Sequence, residues 1–248
     1  MQLSNKLKKV ITGDAYASAR RHVKQALLGR APLRFDAKRI TKSIDREKFR
    51  QVYQRHAVED PGDAWPKYLD LETWMEINLR RVRDLGLDLG GPKRVLDIGC
   101  GTGYFLYINQ YLGHDVLGVD LDEEPGFREM IELLGVKRRI SRIEAFQPLP
   151  DLGPKFDVIA AHMICFNGHK SDKLWKIPEW EFFLDDLAAH QLKPRGQICL
   201  ELNREYDDSL YTPELKEYFE TRGAEGHTQR VLFNPLRPAP SAAAQAAR

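Results

Sequence analysis

After residue 92, short runs rich in Val, Ile and Leu alternate with stretches of helical periodicity. These runs predict β-strands at residues 94–98, 115–119, 139–143, 156–161 and 197–202. Uninterrupted apolar strands separated by helices are typical of a parallel sheet that is covered on both faces. A helix at about residues 213–221 and a last strand at 230–233 complete the pattern. It predicts an α/β fold with a doubly wound, mostly parallel sheet, preceded by an N-terminal helical segment.

The first 90 residues have the periodicity of helices, which we predict at residues 14–30, 44–56 and about 68–85. Gly86 and the sequence Gly90-Gly91-Pro92 end the third of these helices. We therefore expect three regions along the chain. They are a helical N-terminal extension at 1–89, an α/β domain at 90–235 and a disordered tail rich in Pro and Ala at 236–248.

The composition is that of an ordinary globular protein. The chain has 248 residues, of which 42% are hydrophobic and 30% are charged, and its mean hydropathy is −0.49. It holds no run of 18 or more apolar residues, and its N-terminus lacks the apolar stretch of a secretory signal. The cysteines Cys100, Cys165 and Cys199 lie in apolar sequence surroundings. We therefore expect reduced thiols in a cytoplasmic protein.

The charge is distributed unevenly along the chain. Residues 1–48 carry thirteen Lys and Arg against four Asp and Glu, a net charge of +9 that leaves −7 for residues 49–248. Such a basic arm attracts anionic partners such as RNA or lipid head groups, and a solvated cationic surface is the alternative. Apolar residues at positions 3, 7, 10 and 11 lie among its lysines, a pattern compatible with peripheral contact to an anionic membrane.

The most informative motif is a turn with three glycines directly after the first strand. It reads Asp97-Ile98-Gly99-Cys100-Gly101-Thr102-Gly103, and a helix follows it. Glycine permits a sharp turn and the close approach of a ligand, and the helix offers free N–H groups. Asp120 ends the next strand beside this turn, where a carboxylate can accept hydrogen bonds from two ribose hydroxyls. Tyr104 or Leu106 stands where a dinucleotide-binding fingerprint has its third glycine, which excludes that class of site.

Residues 90–235 resemble the class I methyltransferases that depend on S-adenosylmethionine. The resemblance rests on the glycine turn, on Asp120, on Glu144-Ala145-Phe146, on Phe156-Asp157-Val158-Ile159 and on the turn at residues 192–197. Residues 223–234 are shorter than the last two strands of the family, which predicts a sheet that ends early.

This resemblance implies that S-adenosylmethionine is the cofactor. Near its methionine end it places Asp97 and the backbone of Gly99, Cys100, Gly101 and Gly103, and it places Asp120 on the ribose. It implies that Leu121 and Phe146 flank the adenine, that Ala145 and Glu144 meet the polar edge of this ring, and that Tyr68 or Trp65 closes over the cofactor. Packing in the core is the alternative for the apolar and aromatic side chains.

Methyl transfer from S-adenosylmethionine needs a base only when the acceptor must lose a proton. His162, His169 and Glu201 follow the fourth and fifth strands and are the candidate bases. We prefer His162, because a neutral imidazole is available near pH 7, and a histidine held by a structural hydrogen bond is the alternative. The spacing of His162, Cys165 and His169 lacks a fourth zinc ligand, so we predict no metal site.

Two absent motifs narrow the acceptor. The fourth strand is followed neither by the Asn/Asp-Pro-Pro-aromatic sequence of family members that methylate DNA bases or glutamine nor by an acidic magnesium ligand. We expect metal-independent O-methyl transfer to a small-molecule, lipid-linked or sugar-linked acceptor, and no DNA partner. Residues 166–180, with Trp175 and Trp180, are interpreted as a loop over the acceptor, or as packing beneath it. A cofactor-binding scaffold without catalysis and an RNA methyltransferase guided by the basic arm are the alternatives.

Overall fold

The computed structural model describes residues 23, 27, 29, 36–57, 65–225 and 228–239. Most of the basic arm and of the predicted helix at 14–30 lies outside these residues, although Val23 and Leu27 are helical. The side chain of Trp65 also lies outside the described part.

The helices before the sheet begin at side-chain caps. The helices α1 (Ala37–Thr41), α2 (Arg46–His56) and α3 (Leu71–Asp84) follow Asp36, Asp45 and Asp70. The carboxylate of each of these residues accepts a backbone N–H of the first helical turn, which satisfies a donor that has no partner inside the helix. A 3₁₀-helix (Trp65–Leu69) precedes α3. The predicted helices at 44–56 and 68–85 are therefore confirmed, with starts moved to the residue after each cap.

Seven strands form one sheet in the order β3-β2-β1-β4-β5-β7-β6. They are β1 (Arg94–Ile98), β2 (Asp115–Asp120), β3 (Arg138–Ile140), β4 (Phe156–Ile164), β5 (Leu192–Leu202), β6 (Ala224–Glu225) and β7 (Arg230–Phe233). The strands β1 to β5 are parallel to one another, and β7 runs antiparallel to its neighbours β5 and β6. The prediction of a doubly wound, mostly parallel sheet is confirmed. The expected early end of the sheet is wrong, because the short segments β6 and β7 both pair.

Helices cover both faces of this sheet and enclose two apolar cores. They include α4 (Tyr104–Tyr111), α5 (Pro125–Leu134), α6 (Ile177–Asp186), which continues as a π-helical turn (Leu187–Gln191), and α7 (Pro213–Thr221). Val95 packs with residues of α3, α4 and α5, whereas Leu96 packs with α6 and α7 on the opposite face. Because α1–α3 share the first core with the sheet, the described residues 36–57 and 65–89 of the predicted extension pack as part of the same unit.

Two strand boundaries differ from the prediction and matter for the site. β3 ends at Ile140, three residues before the predicted end, whereas β4 continues to Ile164, three residues beyond it. Residues 141–143 are consequently free to turn at the carboxyl edge of the sheet, meaning the edge where the parallel strands end.

The end of the α/β domain also lies further along the chain than predicted. Leu236 packs on the second core, and the backbone of Arg237 donates to Arg222 O at 2.8 Å and accepts from Arg222 Nε at 2.8 Å. Leu236 and Arg237, which were predicted in the tail, therefore pack on the domain, and residues 240–248 lie outside the described part. Among the described helices, none has the length and apolar character needed to cross a bilayer.

Candidate functional site

A cavity of about 510 Å³ opens at the carboxyl edge of the sheet. This volume is typical of small-molecule and cofactor sites. Residues that follow β1, β2, β3 and β4 line it together with one face of α3, and they include Tyr68, Trp74, Asn78, Arg81, Asp97, Gly99, Cys100, Gly101, Asp120, Leu121, Arg142, Ile143, His162, Met163, Cys165, Phe166 and Gly168. We call residues 99–103, 120 and 121 the β1–β2 side of the site, and we call residues 162–169 with their neighbours Glu201 and Glu205 the β4–β5 side.

The glycine turn (residues 99–103) holds the β1–β2 side open. Gly99 has φ of +74° and Gly103 has φ of +79°, in the left-handed region that residues with a Cβ rarely adopt. A Cβ on Gly99 would meet no atom within 4 Å, whereas a Cβ on Gly103 would lie 2.6 Å from Ile131 Cδ1. Gly99 therefore leaves space at the cavity wall. Gly103 serves the close packing of α4 on α5 and is absent from the lining residues.

Asp120 is held at the end of β2 by two hydrogen bonds that leave part of its carboxylate free to accept others. Its Oδ2 accepts the Gly101 N–H at 2.5 Å, and its Oδ1 accepts the Leu121 N–H at 2.7 Å. A carboxylate has about four acceptor positions, so about two remain for a ligand. Burial raises the pKa of Asp120, and the two N–H donors oppose that rise. The geometry fits a pair of ribose hydroxyls, as the resemblance implies.

Cys100 lines the cavity but turns its thiol away into the core. A Cβ on Gly118 of β2 would lie 2.6 Å from Cys100 Sγ, so this glycine makes room for the sulfur. Burial raises the pKa of the Cys100 thiol well above its usual range and keeps it uncharged. The contribution of Cys100 to a ligand site is thus limited to its backbone.

The segment Glu144-Ala145-Phe146 does not reach the cavity, which corrects its predicted role. Phe146 has φ of +59° and packs its ring on Phe182, 5.9 Å away between centroids, beside a separate surface depression. The reason is the early end of β3, since residues placed directly after a strand that stops at Ile140 are 141–143. Arg142 and Ile143 line the cavity next to Leu121 instead.

The face of α3 that lines the cavity includes residues that the sequence analysis missed. Trp74, Asn78 and Arg81 follow one another at helical spacing, and Tyr68 stands before them with its ring 4.8 Å from that of Trp74. Asn78 and Arg81 are buried among the apolar positions of this helix. Two polar residues on an apolar stripe are the signal that could have indicated them.

His162, the preferred base, is buried in a pair with Asp97. Its Nδ1 lies 3.3 Å from Asp97 Oδ1, its ring packs on Phe105, and the side chains are 6% and 4% exposed. Burial lowers the pKa of His162 to about 3 and raises the pKa of Asp97 well above its usual value. Both shifts favour the uncharged forms, so His162 is a poor proton acceptor and the structural alternative fits it better.

Glu201, the second candidate base, is committed to an ion pair. It lies beside His162 in the sheet register and pairs with Arg81 of α3, and Arg230 Nη2 approaches its other oxygen at 3.7 Å. The side chains of Arg81 and Glu201 are 10% and 12% exposed. Glu201 is therefore a structural anion rather than a free base.

His169, the third candidate, has the surroundings of a base. Its Nδ1 lies 2.9 Å from Glu205 Oε1, and Glu205 Oε2 accepts the Lys170 N–H at 2.7 Å. A carboxylate on Nδ1 holds the proton there and leaves Nε2 as the acceptor. His169 itself is absent from the cavity lining, and the residue before it, Gly168, lines the cavity. Glu205 was not among the predicted residues, because its contact spans two loops.

The remaining predictions on the β4–β5 side concern aromatic and metal-binding groups. Trp175 and Trp180 are buried in a cluster with Phe166, Phe183 and Phe219, so packing accounts for them. Cys165 is exposed, unlike the two other cysteines. Among the described residues, no group of three or more His, Cys, Asp or Glu side chains is arranged to hold a metal ion.

Comparison with known proteins identifies relatives of the central part of the chain. A family model described as a methyltransferase domain matches residues 71–227. A tRNA U34 carboxymethyltransferase from Campylobacter hominis is 28% identical over 156 residues, which cover 56% of this chain and 50% of that protein. One from Pseudomonas fluorescens is 34% identical over 101 residues, which cover 39% of this chain and 30% of that protein. The chain thus spans half or less of the length of these relatives.

A solved structure resembles the fold at low sequence identity. An O-methyltransferase family protein from Burkholderia thailandensis aligns with a TM-score of 0.47 and 13% identity, over 73% of this chain and 62% of that one.

Proposed function

The chain belongs to the class I methyltransferases that depend on S-adenosylmethionine, and we propose that it transfers a methyl group from this cofactor to a hydroxyl group of a small, lipid-linked or sugar-linked acceptor. S-adenosylmethionine supplies a methyl group that is already activated on a sulfonium. The protein then has to align donor and acceptor and to take up the hydroxyl proton. The observation that carries the proposal is the meeting of the glycine turn and Asp120 at one end of the cavity.

The β1–β2 side offers groups that complement the cofactor. The two free acceptor positions of Asp120 suit the ribose hydroxyls, and the side chains of Leu121 and Ile143 provide apolar contacts for the adenine. The Asp97 carboxyl, buried at the cavity wall, suits the ammonium group, because ionisation of Asp97 beside a cation is favourable.

On the β4–β5 side, His169 is the candidate base that a carboxylate orients, and it adjoins the cavity through Gly168. We propose that His169 Nε2 accepts the hydroxyl proton while Glu205 holds Nδ1, as a carboxylate does for histidine bases in general. The other two candidates are engaged elsewhere, His162 with Asp97 and Glu201 with Arg81.

Titration calorimetry with S-adenosylmethionine tests the cofactor half of this proposal. The variant Asp120→Ala should bind about 10- to 100-fold more weakly, since it loses hydrogen bonds to a charged group. Asp122→Ala is the matched control, because Asp122 pairs with Arg128 and Arg138 and is absent from the cavity lining. A wild-type protein that takes up no cofactor, or an Asp120→Ala variant that binds as well as the control, overturns the proposal.

Formation of S-adenosylhomocysteine from a panel of hydroxyl acceptors tests the catalytic half. His169→Gln should lower kcat about 10²- to 10⁴-fold, the usual contribution of a general base, with unchanged cofactor affinity. His190→Gln is the control, since His190 lies at the separate surface depression. Full activity of His169→Gln would remove this residue from the mechanism. Cofactor binding without any product would favour a scaffold.

RNA is the second candidate acceptor, because the curated relatives are named for action on tRNA U34 and residues 1–48 carry a net charge of +9. When a protein binds RNA through its phosphates, the logarithm of the affinity falls linearly with the logarithm of the salt concentration. Filter binding of bulk tRNA between about 50 and 200 mM salt should show this slope if RNA is the substrate. Absent or salt-independent retention excludes the RNA candidate and leaves the small-acceptor proposal standing.

A further inference from the structure

Two lysines from separate segments of the chain lie near the β4–β5 side of the site. Lys67 belongs to the 3₁₀-helix before α3, and its Nζ lies 4.8 Å from the ring centroid of Tyr68, which lines the cavity. Lys170 lies two residues after Gly168, another lining residue, and its Nζ lies 5.6 Å from the ring centroid of Tyr206. Both lysines are exposed, and neither forms an ion pair with a carboxylate of the described residues. Their ammonium groups are therefore available to a ligand.

The charges of both lysines reach Cys165, an exposed cysteine that lines the cavity. Partial burial raises the pKa of the Cys165 thiol, whereas Lys67 and Lys170 act on this pKa in the opposite direction. Glu205 is the carboxylate that acts on the same thiol. Its Oε1 lies 2.9 Å from His169 Nδ1 and its Oε2 accepts the Lys170 N–H, so both of its oxygens are engaged. The charges left for a ligand beside Cys165 are consequently positive.

The backbone of Lys170 is held in a conformation that is unusual for lysine. Its φ is +52°, in the left-handed region that favours glycine. Glu205 accepts its N–H at 2.7 Å and also orients His169, and the side chain of Glu205 is only 12% exposed. Strained conformations of this kind persist where the surroundings fix them, and they are concentrated at ligand sites. One largely buried carboxylate thus fixes the candidate base and a lysine at adjacent positions.

We propose that the methyl acceptor carries an anionic group, either a phosphate or a carboxylate, and that Lys67 and Lys170 bind this group while the acceptor hydroxyl lies at His169. This inference rests on the proposed function and narrows its acceptor to anionic compounds. An ammonium has three N–H donors and no acceptor, so two ammonium groups complement the oxygens of one anion. Met163 and Phe166, which line this side of the cavity, are uncharged. The two lysines are therefore the groups that select the acceptor by its charge.

Alkylation of Cys165 by iodoacetamide reports whether this site is occupied. Cys100 and Cys199 are buried, so the exposed Cys165 is the thiol that should react first. Phenyl phosphate and benzoate are the anionic probes, and phenol is the neutral reference with the same ring. In wild type, with and without S-adenosylhomocysteine, the preferred anion should protect Cys165 at about 10-fold lower concentration than phenol. The order of phenyl phosphate and benzoate identifies which anionic group the site prefers.

A double variant and a control of equal charge assign the protection to the two lysines. In Lys67→Gln/Lys170→Gln, the anions should lose their advantage over phenol. Lys155→Gln/Lys193→Gln removes the same charge at residues that are absent from the cavity lining, and it should keep the advantage. All four lysines are exposed, so these substitutions leave the core intact. Each rate is divided by the rate of the same variant without probe, because Lys67 and Lys170 also influence the pKa of the thiol.

The inference fails on any of three results. Equal protection by phenol and by the anions shows that charge does not select the ligand. Protection by none of the probes shows that the lysines bind no anion beside Cys165. Unchanged protection in Lys67→Gln/Lys170→Gln places the anion elsewhere. A wild-type protein that shows the protection but takes up no S-adenosylmethionine overturns the proposed function instead, and with it the identity of the bound anion as a methyl acceptor.

Discussion

The two sides of the cavity differ in what determines their geometry. On the β1–β2 side, the backbone sets the geometry. Gly99 has a left-handed conformation, and two backbone N–H groups hold the carboxylate of Asp120. On the β4–β5 side, every candidate base is paired with a residue far away in sequence. His162 pairs with Asp97, Glu201 with Arg81, and His169 with Glu205.

This difference shows why similar side chains take different roles. A turn with three glycines specifies a local shape, so its ligand site follows from contiguous residues. An ionisable side chain acquires its role from its partner and its burial, and these depend on which segments the fold brings together. The β1–β2 side should therefore be sensitive to added volume, and the β4–β5 side should be sensitive to the loss of a partner.

The largest effect on stability should come from breaking the ion pair of Glu201. The variant Glu201→Gln leaves Arg81 buried with a neutral partner, and removing one member of a buried pair costs about 3–5 kcal/mol of unfolding free energy. Urea unfolding of wild type and variant measures this loss.

The exposed pair of Arg46 and Glu72 provides the matched control. Its side chains are 53% and 58% exposed, so Glu72→Gln should cost only about 0–1 kcal/mol. If Glu201→Gln unfolds at the same urea concentration as Glu72→Gln, Glu201 is not the structural anion inferred here.

The sequence predicts the sheet well because its signals are local. Apolar runs place β1, β2 and β7 at their observed residues or within one of them, and the predicted starts of α2 and α3 lie two and about three residues before the observed ones. The ends of β3 and β4 are missed by three residues each, because strand pairing rather than local composition decides where a strand stops. Because of the first error, the adenine contact was predicted at residues 144–146, whereas residues 141–143 are the ones that line the cavity.

The paired side chains were beyond the reach of local patterns. Arg81 and Glu201 are 120 positions apart, and His169 and Glu205 are 36 apart. In sequence, His162 is a histidine after a strand, and its burial beside Asp97 becomes visible only when β1 and β4 are neighbours. The roles of the candidate bases therefore had to come from the structure.

A smaller effect should distinguish two glycines of the same turn. Both Gly99→Ala and Gly103→Ala place a Cβ on a left-handed backbone, which costs about 1–2 kcal/mol. In Gly103→Ala, the new Cβ would also lie 2.6 Å from Ile131 Cδ1 and 3.0 Å from Val136 Cγ2. This crowding should cost a further amount of about 1–3 kcal/mol. Thermal and urea unfolding should rank Gly103→Ala as the less stable variant. Equal stabilities would show that α5 yields to the extra carbon.

The smallest effect, of about 1.4 kcal/mol per pH unit at most, concerns the proton shared by Asp97 and His162. Above about pH 4 and below about pH 6.5, the unfolded chain carries this proton on the histidine, whereas burial in the folded protein shifts it towards the Asp97 carboxyl. The number of bound protons is the same in both states, so the pair adds no slope to the stability of wild type in this range.

Removing either partner should therefore make the unfolding free energy depend on pH, and the two variants should show slopes of opposite sign. In Asp97→Asn, His162 stays neutral when folded and is protonated when unfolded, so stability rises with pH up to about 6.5. In His162→Gln, Asp97 stays protonated when folded and ionises when unfolded, so stability falls as pH rises above about 4. Urea unfolding at half-unit steps from pH 4.5 to 6.5 or so measures both slopes relative to wild type. Slopes of the same sign would mean that the two groups do not share a single buried proton, and the β4–β5 side would then depend less on its partners than the structure indicates.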